Sequence, residues 1–167
     1  LYKIKGSIMS SNYVEKIIWL PDPPSELVDP IEDIPFTQKN CHFDTTYSHI
    51  YASYTTNPDL EKYFQQFFDY DIACRYQVIS AALRAHVDDG LENQWKYNYL
   101  FTAGGNVETS FWSDVNPPGG FEYPGTGTEL LHTEVCEEKQ WYKLNVSCPH
   151  SISQPSSTRF SLVIRKK

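Results

Sequence analysis

From residue 70 onward the sequence breaks into short runs rich in Val, Ile, Tyr, Phe and Trp, separated by Gly, Pro and Ser. Branched and aromatic side chains fit a pleated surface better than a helix, so this pattern restricts the chain to a mainly β fold. Cys74 to Asp88 is such a run, with no internal Gly or Pro. Trp95 to Ala103 alternates Trp95, Tyr97, Tyr99 and Phe101 with Lys96, Asn98, Leu100 and Thr102, the period-2 signature of a strand. Thr109–Trp112, Gln140–Ser147 and Thr158–Arg165 read as further strands. Residues 116–127, with Pro117-Pro118-Gly119-Gly120 and Pro124-Gly125, read as a long loop. The wider stretch 113–130 is suited to form a lid, with a disordered excursion as the alternative.

The first part of the chain is organised differently. Tyr13 to Leu20 reads as an early strand, and prolines 21, 23, 24, 30 and 35 mark residues 21–36 as an extended strap. One helix is expected over 57–69. Asn57 caps it, Pro58 takes the first helical position, and Asp59 and Glu61 put negative charge in the first turn. Leu60, Phe64, Phe67 and Phe68 then share one face, which packs on a sheet. One helix followed by many short strands implies a sandwich or barrel with a helical buttress. At 167 residues this is a single domain: strands and strap over 1–56, the helix over 57–69, and a β core over 70–167.

Charge and cysteine content narrow the function. Fourteen basic residues against twenty-one acidic ones argue against a sequence-independent grip on nucleic-acid phosphates. No stretch is apolar for long enough to span a membrane, and no charged n-region with an apolar h-region marks a signal peptide. Cys41, Cys74, Cys136 and Cys148 are scattered and form no C-x-x-C pair. They read as reduced thiols in a cytoplasmic protein, with two disulfides in a secreted protein as the alternative.

Two His-x-Asp triplets stand out, His42-Phe43-Asp44 and His86-Val87-Asp88. On a strand, residues two apart face the same way, so either can offer an imidazole and a carboxylate to one metal ion. Arg84 shares parity with His86 and is expected to face inward with it, toward a substrate or paired with Asp89 or Glu92. His150 opens a distinctive C-terminal segment: a Pro/Ser turn follows, then Arg159-Phe160-Ser161, with Arg at +9 and Ser at +11. None of the other histidines has that register. Phe160, Leu162 and Ile164 form an apolar face, so Arg159, Ser161 and Val163 point the other way, into the barrel. A buried guanidinium needs an anion, and its planar fork suits a carboxylate.

In these residues the sequence resembles the iron(II)- and 2-oxoglutarate-dependent oxygenases. The likeness rests on His86-Val87-Asp88, the distal His150, and Arg159-Phe160-Ser161, with Trp95-x-x-Asn98 and Thr109-x-Phe111 similar to two core strands. It covers roughly residues 70–165 and leaves 1–56 unmatched. It implies a double-stranded β-helix, or jelly roll, with one or more supporting helices. It also implies that His86, Asp88 and His150 bind Fe(II), and that Arg159 and Ser161 hold the far carboxylate of 2-oxoglutarate. Asn98 and Tyr76 are further candidates for contacts to cosubstrate or substrate. The implied activity is hydroxylation by O2 of an unidentified substrate, with 2-oxoglutarate decarboxylated to succinate. Two imidazoles and a carboxylate leave three positions open on an octahedral metal, which suits that chemistry. A non-catalytic β-sandwich binding module and a cupin-like barrel that uses metal without 2-oxoglutarate are the alternatives.

Overall fold

A computed structural model describes residues 12–30, 51–88, 95–116 and 125–167. Its strands are β1 (Val14–Ile17), β2 (Tyr51–Thr55), β3 (Ile72–Ile79), β4 (Leu83–His86), β5 (Trp95–Thr102) and β6 (Glu108–Trp112). They continue with β7 (Val115–Asn116), β8 (Thr126–Gly127), β9 (Leu130–Val135), β10 (Trp141–Asn145), β11 (His150–Ile152) and β12 (Arg159–Lys166). One helix, α1 (Pro58–Gln65), lies between β2 and β3.

Six strands form one antiparallel sheet in the order β1-β10-β5-β12-β3-β2, and four form a second in the order β4-β11-β6-β9. The chain crosses between the sheets at β3–β4, β4–β5 and β5–β6, then again from β9 to β10, β10 to β11 and β11 to β12. Late strands return between early ones: β12 lies between β3 and β5, and β11 between β4 and β6. This is the winding of a double-stranded β-helix, and the fold is a mainly β jelly roll.

The helix forms as its sequence dictates. Asn57 Oδ1 accepts from the Asp59 amide at 2.9 Å, Pro58 is in the first turn, and Leu60 and Phe64 are fully buried. Their partners are Ile72, Cys74, Tyr76, Trp141, Phe160, Leu162 and Ile164, which line the outer face of the large sheet. Phe67 and Phe68 pack on the same cluster beyond the helix end. The strap follows this face too, with the Trp141 indole N–H donating to Pro21 O at 2.8 Å.

Several expectations need correction. The run from Cys74 to Asp88 is two strands, broken at 80–82. Strands β2 and β9 and the short β11 escape the periodicity, and β7 and β8 pair at the two ends of the long loop. Among the described residues Cys74, Cys136 and Cys148 are free thiols. Cys41, the His42-x-Asp44 triplet, Asp89, Glu92 and residues 117–124 lie outside the described residues. Among the described residues no helix is long and apolar enough to cross a membrane.

Candidate metal centre and its cavity

Strand register builds the centre. In the β4–β11 pair, His150 lies directly opposite His86, and Asp88 follows two residues on. Directly opposed residues bring their Cβ atoms to roughly 4.5–5.5 Å, and the two imidazole centroids are 4.5 Å apart. The Asp88 amide donates to Val146 O at 3.2 Å, which ties the carboxylate to the end of β10. His86 Nε2 and His150 Nε2 lie 3.4 and 3.6 Å from Asp88 Oδ1.

Both rings are oriented from behind. His86 Nδ1 is 2.7 Å from Arg84 O, and His150 Nδ1 is 2.9 Å from Cys148 O. A carbonyl only accepts, so each Nδ1 carries the proton and each Nε2 presents its lone pair to the shared space. Asp88 Oδ2 is paired with Lys96 Nζ, which leaves Oδ1 turned toward the imidazoles. Burial works against the Asp88 charge, but Lys96 and the imidazoles outweigh it and hold the carboxyl well below its ordinary range. The donor atoms of His86, Asp88 and His150 all lie within 4.8 Å of one another, and these three residues can hold a metal ion.

His150 also gives a pH prediction. Burial, reinforced by neighbouring His86, pushes it from 6.5 down to about 4. A folded-state value below the unfolded one contributes stability above pH 6.5, and that contribution is lost as pH falls toward 4. Thermal melts of the metal-free protein should therefore show Tm falling across that window. A mutant in which Gln replaces His150 should lose part of that slope, and an unchanged slope would remove His150 as its source.

The centre opens into a cavity of about 330 Å³ between the two sheets, at the lower end of the range of small-molecule sites. Arg159, Ser161, Val163 and Arg165 line it from one face of β12, while Phe160, Leu162 and Ile164 face the helix, as the alternation predicts. Arg159 is 2% exposed; it lies beside the Cys136 thiol, and its Nη1 has no hydrogen-bond partner among the described residues. Asn98 Oδ1 and Thr109 Oγ1 are likewise buried in the cavity lining without partners. Such groups are costly unless a ligand completes them.

The turn that delivers Arg159 depends on Gly104. This glycine has a φ of +76°, and its carbonyl accepts from the Ser156 amide at 2.8 Å. A Cβ there would stand 2.7 Å from Ser157 O and 3.2 Å from Arg159 Cβ. Only glycine allows the chain to pass this close at that φ.

Two expected contacts fall elsewhere. Tyr76 lies on the opposite face of β3, fully buried among the helix-facing residues, and its hydroxyl accepts from the Asp29 amide at 2.9 Å. It anchors the strap and does not line the cavity. Arg84 is exposed, because the register shifts between Leu83 and His86. Three residues of β4 there span what two of β11 span, so Leu83 and His86 both face the cavity and Arg84 turns out. His132 stacks on Tyr13 and is not part of the lining. Lys96, Arg75, Arg165, Tyr51 and Gln77 also line the cavity and were not anticipated there. Shared parity with Asn98 and with Arg159 was the available signal for Lys96 and Arg165.

No protein-family model matches the sequence, and no curated protein matches it. Among solved structures the chain is similar to vicilin from Corylus avellana (hazelnut), with a TM-score of 0.45 and 12% identity over 77% of this chain and 32% of that one. It is also similar to a structure of the DMSP lyases RdDddP and RnDddQII, with a TM-score of 0.36 and 8% identity over 58% of this chain and 39% of that one. The chain thus spans well under half the length of either, and neither likeness bears on activity.

Proposed function

We propose that the protein is a non-haem Fe(II)- and 2-oxoglutarate-dependent oxygenase that hydroxylates a small substrate. One observation carries the reading: a His/Asp/His donor set shares its cavity with a buried guanidinium whose Nη1 lacks a partner. The donor set suits a divalent metal that keeps open positions, and the buried cation suits a ligand with a carboxylate.

His86, Asp88 and His150 would hold the iron, and Arg159 with Ser161 would bind the far carboxylate of 2-oxoglutarate. When bound, iron and cosubstrate supply the oxidising chemistry: O2 gives one oxygen atom to succinate and one to the product, with release of CO2. The chain's own residues bind and orient. The carbonyls of Arg84 and Cys148 fix the imidazole tautomers, and Lys96 restrains the second carboxylate oxygen. Leu83, Ile152 and Val163 form apolar wall around these polar groups and limit access of water.

The test is turnover of 2-oxoglutarate. Purified protein with Fe(II), O2 and ascorbate should form succinate and CO2 in equal amounts, and chelation of the metal should stop both. Metal-bound protein that leaves 2-oxoglutarate untouched would favour the barrel that uses metal alone.

A further inference from the structure

The open end of the cavity carries a feature that the metal centre and the cosubstrate do not use. Arg75 on β3 and Arg165 on β12 both line it. Arg165 pairs with Ala73, so Arg75 is its diagonal neighbour on the same face of the sheet. Diagonal neighbours on antiparallel strands lie roughly 7–8 Å apart, within reach of long side chains. Lys96 stands on the other side of β12, next to Tyr97, which pairs with Ile164. Three adjacent strands therefore present three cations to one space.

Like charges on neighbouring strands repel, and a fold tolerates such a row where a ligand uses it. Asp88 is the sole carboxylate among the described lining residues, against Lys96, Arg75, Arg159 and Arg165. A divalent metal ion and a dianionic cosubstrate would cancel each other, so among the described lining residues basic side chains still outnumber acidic ones, in a chain whose net charge is −7. Such a concentration of one sign in a cleft attracts anions.

Distance separates this row from the cosubstrate site. Arg159 and Arg165 stand at opposite ends of β12, six residues or roughly 20 Å apart along the strand. A five-carbon diacid cannot reach from one to the other. The row lies instead beside the candidate metal ligands, since Lys96 pairs with Asp88. Arg75 is set in place by Ser53, with Nε donating to Ser53 Oγ at 2.7 Å. The Arg165 side chain is exposed and makes no side-chain hydrogen bond or ion pair among the described residues, while its backbone is held in the β12–β3 ladder.

We propose that the primary substrate is a small anion, held next to the metal by Arg75 and Arg165 through a carboxylate or phosphate group. This rests on the oxygenase reading and adds the substrate class. Guanidinium forks match both groups bidentately, and the cavity volume suits a small molecule or an anionic terminus.

The test uses the full chain loaded anaerobically with Fe(II) and 2-oxoglutarate, as wild type, Arg165→Gln and Arg75→Gln. Calorimetry follows sulfate as the tetrahedral probe, acetate as the carboxylate probe and glycerol as the neutral control. Visible absorption follows cosubstrate binding in the same samples. At least one anion should bind, glycerol should not, and each variant should weaken anion binding tenfold or more at an unchanged midpoint for 2-oxoglutarate. The stronger of the two anions identifies the group. Equal anion affinity in wild type and Arg165→Gln would overturn the proposal. So would a cosubstrate midpoint that moves in step with the anion, because the row would then serve 2-oxoglutarate. A wild type that shows no cosubstrate band would sink the oxygenase reading, and the heat signal still judges anion binding separately.

Discussion

On the oxygenase reading, His86→Ala should abolish iron binding at the centre and, with it, all turnover of 2-oxoglutarate. Loss of an outer partner of a metal ligand costs about 10–100-fold in metal affinity, and loss of the ligand itself costs more. His86 is buried, its ring is fixed from behind by Arg84 O, and its Nε2 lies 3.4 Å from Asp88 Oδ1. Water in the vacated space can replace the lone pair but not its fixed direction. Metal analysis after dialysis should read about one iron per chain in wild type and near none in the variant. The melting temperature of the metal-free variant controls for folding. A variant that keeps both iron and succinate formation would take His86 out of the centre.

Arg159→Met should have two effects of opposite sign. In the absence of ligand the guanidinium is a buried charge with an unpartnered Nη1, so an apolar side chain of similar length should hold or raise the melting temperature. Binding should fail in the same protein. Removing one partner of a buried, hydrogen-bonded charge pair costs about 2–5 kcal/mol, so KM for 2-oxoglutarate should rise about 30-fold or more. Arg159→Lys should recover only part of that loss, because a point charge cannot reproduce a bidentate fork. A purely structural arginine predicts the reverse pattern: lower stability and unchanged KM.

The β12 strand shows how much of this site the sequence carries. Alternation of Phe160, Leu162 and Ile164 fixes one apolar face, so the inward placement of Arg159 and Ser161 follows from parity alone. The same logic fails on β4. A register shift there has no Gly or Pro to mark it, and it turns Arg84 outward while keeping Leu83 and His86 inside. It fails again at Tyr76: reading Cys74 to Asp88 as one strand puts Tyr76 in phase with His86, whereas the break at 80–82 separates the two strands and leaves Arg75 and Gln77 on the cavity face. Lys96 was visible only as a polar residue of an alternating strand. Its pairing with Asp88 joins two sheets, and no local pattern encodes a contact of that kind. The helix was legible because its cap, first proline and apolar stripe are all local signals.

The jelly roll explains why residues 64 positions apart in the chain can act together. Alternation between sheets places β11 beside β4, so His150 meets His86 as a direct cross-strand partner. The next crossing returns the chain as β12, and Arg159 enters the same cavity behind them. Gly104 makes room for the turn between those strands, so the position of the guanidinium depends on a backbone fit some fifty residues away in sequence.

Anaerobic titration of the iron-loaded protein with 2-oxoglutarate, followed by visible absorption, tests the central claim most directly. A keto acid chelated to ferrous iron gives a weak charge-transfer band. The account predicts that this band saturates at about one equivalent in wild type, needs far more cosubstrate in Arg159→Met, and is absent in His86→Ala. Wild-type protein that binds iron at the His86, Asp88 and His150 centre yet develops no band at any 2-oxoglutarate concentration would contradict it.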